Sequence, residues 1–191
     1  MRIPALILVL ALSACVNAPP VTSQQVELTL GQMQPIALHV AKIEVFDEFK
    51  SPVTEGRVEH LFPTHPSVAA KSLVETKLKA DGVDNILRVM IEDASVTEQK
   101  LKVANDFLSN FTREPSERYN ARVALRFELV NEHAPDIVIA HATVIGQRTK
   151  TILENTSPAD RDRAYVEMTE ELMGDLYNGF DTVVRDTFAR K

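Results

Sequence analysis

Hydrophobic and polar residues alternate most regularly in two segments of the second half of the chain. Every second residue from Tyr119 to Leu129 is apolar, and the segment from Ile137 to Gln147 has the same alternation. A period of two places one face of each segment in a core and the other face in solvent. Residues 131–136, between the two segments, are typical of a turn. The pattern therefore predicts an antiparallel hairpin with a loop of about six residues.

Four segments of the first half also have strand character. Residues 36–46 are rich in β-branched residues and contain neither glycine nor proline, which predicts one half-buried strand. Asn85–Val96 alternates and predicts another strand, with Met90 as an apolar misfit on its polar face. Shorter strands are predicted at residues 26–30, at an edge, and around Arg57–Phe62.

Apolar residues recur three and four positions apart from Ser67 to Ala80, which predicts an amphipathic helix. Pro66 suits the first helical turn, where its missing N–H group is not needed, and Thr64 or His65 is placed to cap that turn. Gly82 stands where a left-handed C-terminal cap is favoured.

A second and longer helix is predicted from Pro158 nearly to Lys191, with Ser157 as its capping residue. Gly174 and Gly179 each weaken such a helix by about 1 kcal/mol relative to alanine. A bend or a close packing contact is therefore expected at these glycines. The predicted apolar stripe consists of Tyr165, Met168, Leu172, Leu176, Val183 and Thr187, flanked by Phe180, Val184 and Phe188.

This order of elements predicts an α+β fold. We expect a two-layer sandwich in which an antiparallel or mixed sheet of about four to five strands carries two helices on one face, the C-terminal helix being the longer. Residues 26–191 are about the size of one domain. The 45% of hydrophobic residues are enough to build a core without disulfides or metals.

The first 25 residues have a different character. One positive charge at Arg2 precedes an almost unbroken apolar run from Ile3 to Leu12. As a helix this run is about 15 Å long, half of what a bilayer core requires, so residues 1–14 are predicted to be a signal peptide and not a membrane span. Residues 15–25 are polar and contain proline, as a tether does.

The sequence Leu12-Ser13-Ala14-Cys15 resembles the bacterial lipobox. The resemblance implies that Cys15 becomes the first residue of the mature chain and carries the acyl chains that anchor it. Two acyl chains suffice for stable anchoring, since each buried CH₂ group contributes about 0.8 kcal/mol. In lipoproteins of this kind an aspartate after the cysteine retains the protein in the inner membrane, and Val16 and Asn17 stand there instead, which favours the outer membrane. The alternative is a secreted protein in which Cys15 is a free thiol.

Charge and composition narrow the class of partner. Loss of Arg2 with the signal peptide takes the formal charge from −6 to −7, which argues against binding to nucleic acid or to anionic lipid surfaces. Tryptophan is absent and aromatic residues make up 6% of the chain, so no platform for stacking sugars or bases is evident. We expect a domain with a solvated, acidic surface.

The sequence offers few candidates for catalytic, phosphate-binding or metal-binding residues. The sequence has no glycine-rich phosphate loop and no hydrolase or metalloprotease motif. His60 and His65 lie in one loop, but no carboxylate or cysteine stands at ligand spacing around them. Glu92 and Asp93 are adjacent on a predicted strand and should point to opposite faces. We therefore predict a protein that is not an enzyme, with no catalytic, cofactor-binding or metal-binding residues.

Residues 97–118 are ambiguous. This segment could continue a strand, form a loop, or present an apolar grip for a partner protein. The candidate partner contacts within it are Phe107, Leu108 and Phe111. The alternative is that these three side chains cover the edge of the core.

The order of elements behind a lipobox resembles two groups of small envelope lipoproteins. These are the auxiliary lipoproteins of ABC-type envelope lipid transporters and the lipopolysaccharide-assembly lipoprotein that plugs its barrel. The stretches Arg57–Pro63 and Val89–Val96 are similar to those of uncharacterised alphaproteobacterial lipoproteins. The resemblance implies an outer-membrane lipoprotein that assists envelope lipid transport or assembly by binding an envelope protein or a lipid. A stand-alone periplasmic module for a small apolar or glycan ligand is the alternative.

Overall fold

A computed structural model of the chain describes residues 30–52, 54–101 and 115–188. The elements in chain order are β1 (Ile36–Leu38), β2 (Lys42–Asp47), a 3-10 turn (Glu59–Leu61), α1 (Pro66–Lys77), β3 (Leu78–Ala80), β4 (Ile86–Lys100), β5 (Pro115–Asn131), β6 (Ala134–Leu153) and α2 (Pro158–Phe188). A four-stranded sheet has the order β2-β4-β5-β6, in which β2 and β4 are parallel and the other neighbours are antiparallel. A separate two-stranded parallel sheet pairs β1 with β3.

This architecture confirms the predicted α+β class, with a mixed sheet and a long C-terminal helix. Alternate side chains of β4 and β5 form a single core with both helices, because a period of two sends every second residue to the same face. The opposite face, which we call the open face, is covered by no helix in the described part of the chain. None of the helices there is long and apolar enough to cross a membrane.

The helix α2 packs closely along β6, and two glycines permit the close approach. A Cβ atom at Gly179 would lie 2.5 Å from Cγ1 of Val144, so the valine occupies the space that a side chain on the helix would fill. Reciprocally, a Cβ atom at Gly146 on the strand would lie 3.0 Å from Cγ of Leu176. The predicted close packing contact is therefore found at Gly179, whereas a Cβ atom at Gly174 would have no neighbouring atom within 4 Å in the described part of the chain.

The buried stripe of α2 differs from the predicted one near the end of the helix. Phe180, Val184 and Phe188 are buried, whereas Val183 and Thr187 are only partly buried. The helix runs without interruption through both glycines over 31 residues, about 46 Å. Every fourth residue from Leu172 to Phe188 is buried, and an ideal helix turns by about 40° over each such step, so the buried stripe winds around the helix and leaves Val183 and Thr187 at its margin.

The single strand predicted over residues 36–46 is wrong, because the chain changes sheets in the middle of it. Residues 39–41 separate β1 from β2, and the backbone N–H of Ala41 donates to the carbonyl oxygen of Asp84 at 3.0 Å. Gly82 makes this possible, since a Cβ atom there would lie 2.6 Å from the carbonyl carbon of His39. Gly82 therefore permits a close backbone contact and is not a helix cap.

The helix α1 ends three residues earlier than predicted. Leu78 is already extended and starts β3, since pairing with β1 replaces the last helical turn. The start agrees with the sequence: His65 caps the helix by accepting the N–H of Ser67 at its Nδ1 atom, 3.3 Å away, and Pro66 occupies the first turn. Near the other end, the buried Lys77 donates from Nζ to the carbonyl oxygen of Met33 at 2.8 Å.

The first described residues of the chain are held by a second hydrogen bond, next to the one that Lys77 donates to Met33. The hydroxyl of Tyr177 on α2 donates to the carbonyl oxygen of Gln34 at 2.9 Å. Leu30 is buried and helical, so it does not belong to the strand predicted at residues 26–30; the rest of that segment lies outside the described residues. The entry point of the chain is thus fixed beside both helices.

The predicted hairpin is present but longer and tighter than expected. Only Glu132 and His133 connect β5 to β6, because Asn131 pairs directly with Ala134. Pro135, which indicated a turn, lies in β6 instead, and an edge strand tolerates a proline. The short strand predicted around residues 57–62 is also wrong: this segment forms the 3-10 turn, after an isolated bridge from Arg57.

The close contact between α2 and β6 predicts opposite effects at two glycines of one helix. Gly179→Ala should lower the free energy of unfolding by about 1 kcal/mol, because an overpacking cost of about 1–3 kcal/mol exceeds the helix-propensity gain of about 1 kcal/mol. Gly174→Ala, at an open position, should raise it by about 0.5–1 kcal/mol. Urea unfolding of both variants measures the difference. Equal shifts in the two variants would contradict the packing described.

Candidate functional site

The site residues predicted from the sequence are outside the part of the chain that the structure describes. This holds for the anchor Cys15 and for the partner contacts Phe107, Leu108 and Phe111. The anchor and the partner contacts therefore stay predictions. The described residues offer a different candidate on the open face of the sheet.

A groove of about 390 Å³ crosses β2, β4 and β5 on the open face. Met90 forms its apolar floor and is only 8% exposed, while Phe46 on the neighbouring strand is 43% exposed. These two residues are paired across β2 and β4. The sequence predicts Met90 as an apolar residue on the polar face of a strand. In the structure this residue lies at the base of the groove.

Charged side chains surround the floor. Arg126 contacts Glu128 at 2.7 Å and Glu92 at 3.9 Å, and the Nε atom of Arg88 lies 3.8 Å from a carboxylate oxygen of Glu44, beyond hydrogen-bond distance. The Nε–H groups of both arginines are buried and have no hydrogen-bond partner among the described residues. A buried donor without an acceptor is unfavourable by about 1–3 kcal/mol. The arginine side chains themselves are 30% and 43% exposed, so a rotation of either one would be rewarded by an acceptor in the groove.

The acidic pair Glu92-Asp93 does not follow the simple alternation expected for a strand. A β-bulge between Ile91 and Asp93 makes Glu92 an extra residue. Both carboxylates then meet arginines on the same face of β5, Asp93 with Arg122 at 2.6 Å and Glu92 with an arginine of the groove. The prediction that they point to opposite faces is wrong, and the bulge accounts for it.

A second polar cluster surrounds the buried carboxylate of Glu59, whose side chain is 1% exposed. It accepts hydrogen bonds from the hydroxyl of Ser51, from Nε of Arg57 at 3.3 Å and from the backbone N–H of Val96 at 3.4 Å. Burial alone would raise the pKa of Glu59, but these donors and the positive charge outweigh it and lower the pKa. The cluster attaches the loop after β2 to β4.

A third cluster joins the start of α2 to β5. Arg161 donates to the carboxylate of Glu117 and, at 2.8 Å, to the hydroxyl of Tyr119, which itself donates to Glu117 at 2.7 Å. The hydrogen bond from Arg161 lowers the pKa of Glu117 despite partial burial. Burial raises the pKa of Tyr119, and neighbouring hydrogen bonds add to the effect.

Aromatic rings complete this third cluster. The ring of Tyr165 stacks on Phe62 with centroids 4.4 Å apart and meets Tyr119 edge-on at 5.2 Å. Sequence reasoning missed the cluster. Its signal was the spacing of Glu117 and Tyr119, two positions apart on one strand, but nothing in the sequence indicated that Arg161 would reach them. We interpret both buried clusters as structural, because each carboxylate is saturated by donors of the fold.

Within the residues the structure describes, no group of three or more histidine, cysteine, aspartate or glutamate side chains is arranged to hold a metal ion. His65 is used as a helix cap, and His39 and His141 are exposed. His39 lies just after β1 and not within a strand.

Comparison with known proteins yields structural likeness only. No protein-family model matches the sequence. A search of curated proteins finds no match.

The solved structures similar to this chain include bacterial lipoproteins. A minor lipoprotein of Acinetobacter baumannii is 12% identical, with 80% of this chain and 93% of that chain covered and a TM-score of 0.39. Rare lipoprotein B of Shewanella oneidensis is 10% identical, with coverages of 76% and 97% and a TM-score of 0.38. An uncharacterized lipoprotein B of Nitrosomonas europaea is 12% identical, with coverages of 80% and 92% and a TM-score of 0.40. These scores are too low for the likeness to bear on function.

The lowered pKa of Glu59 predicts a specific pH dependence of stability. Its ionised form stabilises the fold above the ordinary value of 4.5, and this contribution is lost as the pH falls below 4.5 through the folded pKa. Glu59→Gln should lower the free energy of unfolding at pH 7 by about 1–3 kcal/mol and lose less on acidification than the parent protein. Urea unfolding on both sides of pH 4.5 measures this.

The control for this experiment is Glu55→Gln, which changes an exposed carboxylate in the same loop. It should leave both the stability at pH 7 and the pH dependence unchanged. A Glu59→Gln variant with the full pH dependence of the parent would show that the buried carboxylate is not a source of acid sensitivity.

Proposed function

We propose that the protein is a non-enzymatic outer-membrane lipoprotein, anchored through acyl chains on Cys15, that assists envelope lipid transport or assembly. Its domain binds an envelope protein or a lipid through the groove on the open face. The observation that carries this proposal is the combination of an apolar floor with two buried guanidinium N–H groups that lack hydrogen bonds within the described chain. A sheet face that only meets water has no need of either feature.

The chemistry of the groove supports binding. An apolar group in the groove would cover the exposed part of Phe46 beside Met90, and removal of apolar surface from water is favourable by about 25 cal/mol per Å². A carbonyl or phosphate oxygen in the groove could accept from the partly exposed side chains of Arg88 and Arg126, and a small turn of either side chain would bring its Nε–H to the same oxygen. Peptide segments and lipid head groups with their adjoining chains each supply this pairing of an apolar group with an acceptor.

A stand-alone module for a small ligand is the second candidate, and the size of the groove favours it. A cavity of about 390 Å³ falls in the usual range of small-ligand sites, roughly 300–1,000 Å³. The two candidate functions differ in the molecule that the protein binds: an envelope protein or membrane lipid in the first, and a small ligand in the second. Crosslinking of the lipidated protein in membranes should give a reproducible protein or lipid adduct under the first proposal, whereas a small apolar or glycan ligand that raises the unfolding temperature of the protein purified alone supports the second.

The anchor is testable by itself. Replacement of Cys15 by alanine should abolish incorporation of labelled palmitate and release the protein from the outer-membrane fraction, because no other residue of the chain offers a thiol for acylation. Measurement of the label and of the membrane fractions before and after the substitution checks both points. Recovery of the unchanged parent protein in the inner-membrane fraction would contradict the outer-membrane assignment.

The groove is testable by a surface substitution that spares the core. In cells lacking the chromosomal copy, Phe46→Ser should fail to restore detergent resistance and the envelope permeability barrier, because it removes the apolar wall of the groove. Val83→Ser is the matched control, since Val83 is 84% exposed and lies outside the groove. It should restore both properties. Unchanged permeability and detergent resistance on deletion of the gene would contradict the proposed function.

A further inference from the structure

The strand β6 is the last strand of the sheet, and no strand of the described residues pairs with its outer side. It is 20 residues long, roughly 66 Å at 3.3 Å per residue. An edge strand presents a row of unpaired N–H and C=O groups, which is a template for pairing with another extended chain. Its length makes this row unusually extensive.

The opposite edge of the same sheet, formed by β2, has features that prevent pairing with another strand, and part of β6 lacks them. At that edge β2 has 6 residues and carries Lys42, Glu44 and Asp47, so it is short and charged, as exposed edges usually are. Between Ile137 and Gln147, β6 has no charged side chain apart from the titratable His141. Arg148 and Lys150 follow in the same strand, but both pair with carboxylates of α2. Residues 137–147 of β6 therefore lack the charges that oppose strand pairing at the β2 edge.

The geometry of β6 also favours pairing. Its register with β5 is uninterrupted from Ala140 to Ile152, and the irregularities are confined to the two ends. A bulge within an edge strand would twist it away from a partner, and this stretch has none. On the open-face side it exposes a row of uncharged, largely β-branched side chains: His141, Thr143, Ile145, Gln147, Thr149 and Thr151.

The other side of β6 indicates the charge of the partner. The helix α2 directs three carboxylates toward this edge: Asp175 pairs with Arg148 at 2.6 Å, Glu167 pairs with Lys150 at 2.5 Å, and Glu171 reaches Arg148 only at 3.9 Å. Glu171 is 55% exposed and so remains open to a further cation. A second copy would bring no free basic side chain of β6 to Glu171, because its own Arg148 and Lys150 already pair with carboxylates of α2, so a different protein is the better source of this charge.

We infer that the outer edge of β6 is a docking site for an extended strand of a different protein, which extends the sheet by β-augmentation. The strand that fits has uncharged β-branched or aromatic residues on the open-face side and a lysine or arginine on the side of α2, near Glu171. Backbone hydrogen bonds along Ala140–Ile152 provide the affinity, and the alternate side chains provide the specificity. This inference goes beyond the proposed function, because the outer edge of β6 is a surface separate from the groove on β2, β4 and β5.

A random peptide library displayed on phage and selected against the lipidated full-length protein tests the inference directly. The enriched peptides should alternate uncharged β-branched or aromatic residues with other residues and carry at least one basic residue. Hydrogen exchange of the complex should show new protection in backbone amides of β6. Enrichment of peptides with helical periodicity, protection elsewhere in the chain, or no enrichment would overturn the inference.

A charge on the edge should block docking. Ile145→Lys places a lysine on an exposed position of β6, 51% exposed in the parent, and should weaken peptide binding roughly tenfold or more. Val68→Lys is the matched control, because Val68 is 58% exposed on α1 and far from the edge in the fold. It should bind the peptides like the parent protein. Equal binding by the parent protein and Ile145→Lys would overturn the inference, provided both unfold at the same temperature.

The same variants separate this inference from the proposed function. A photocrosslinker at Thr143 in living cells should yield an adduct in which the crosslinked segment of the partner is an extended strand. An adduct with a second copy of this chain would overturn the inference. If Ile145→Lys restores detergent resistance and Phe46→Ser does not, the edge inference fails while the function proposed for the groove stands.

Discussion

The packing of α2 on β6 is the constraint from which the rest of the architecture follows. Val144 fits against Gly179 and Leu176 fits against Gly146, so the helix and the last strand approach more closely than two side-chain layers would allow. The ion pairs of Arg148 and Lys150 with acidic residues of the helix hold the same two elements from the exposed side. With α2 placed over the edge strand, α1 covers the strands at the other end of the sheet. Both helices then occupy one face, and no helix of the described residues covers the second face of the sheet.

The two buried polar clusters form hydrogen bonds between the sheet and two segments outside it, the connection after β2 and the first turn of α2. Glu59 attaches the long connection after β2 to the middle of β4, and Arg161 attaches the first turn of α2 to β5 through Glu117. A buried carboxylate that accepts several hydrogen bonds is hard to replace singly, because its donors would be left without acceptors. A buried carboxylate with a lowered pKa attracts attention as a candidate site, yet donors within the fold already fill the hydrogen-bonding capacity of both of these. The open-face groove differs from these clusters in that its hydrogen bonds are incomplete. Its arginines retain donors to which the described chain offers no acceptor.

Local patterns predicted the elements well and their tertiary boundaries poorly. The period of two in β5 and β6, the His65 and Ser157 caps and the apolar stripe of α2 are set by neighbours in sequence. The break between β1 and β2 depends on the backbone of Gly82, forty residues away, which no local pattern records. The early end of α1 depends on pairing with β1. The groove combines residues of three strands with a bulge, so only Met90, apolar where a polar residue was expected, gave a sign of it.

The fixed entry point of the chain has a consequence for how the domain stands relative to a membrane. Lys77 and Tyr177 bind the carbonyl groups of Met33 and Gln34, so the polypeptide leaves the domain at one defined place beside both helices. Between Cys15 and Leu30 the contour length is at most about 54 Å, at 3.6 Å per residue. An acyl anchor at Cys15 would therefore keep Leu30 within about 54 Å of the bilayer surface. Confinement to this layer would raise the local concentration of membrane-bound partners, so that even a weak contact would be occupied for a large part of the time.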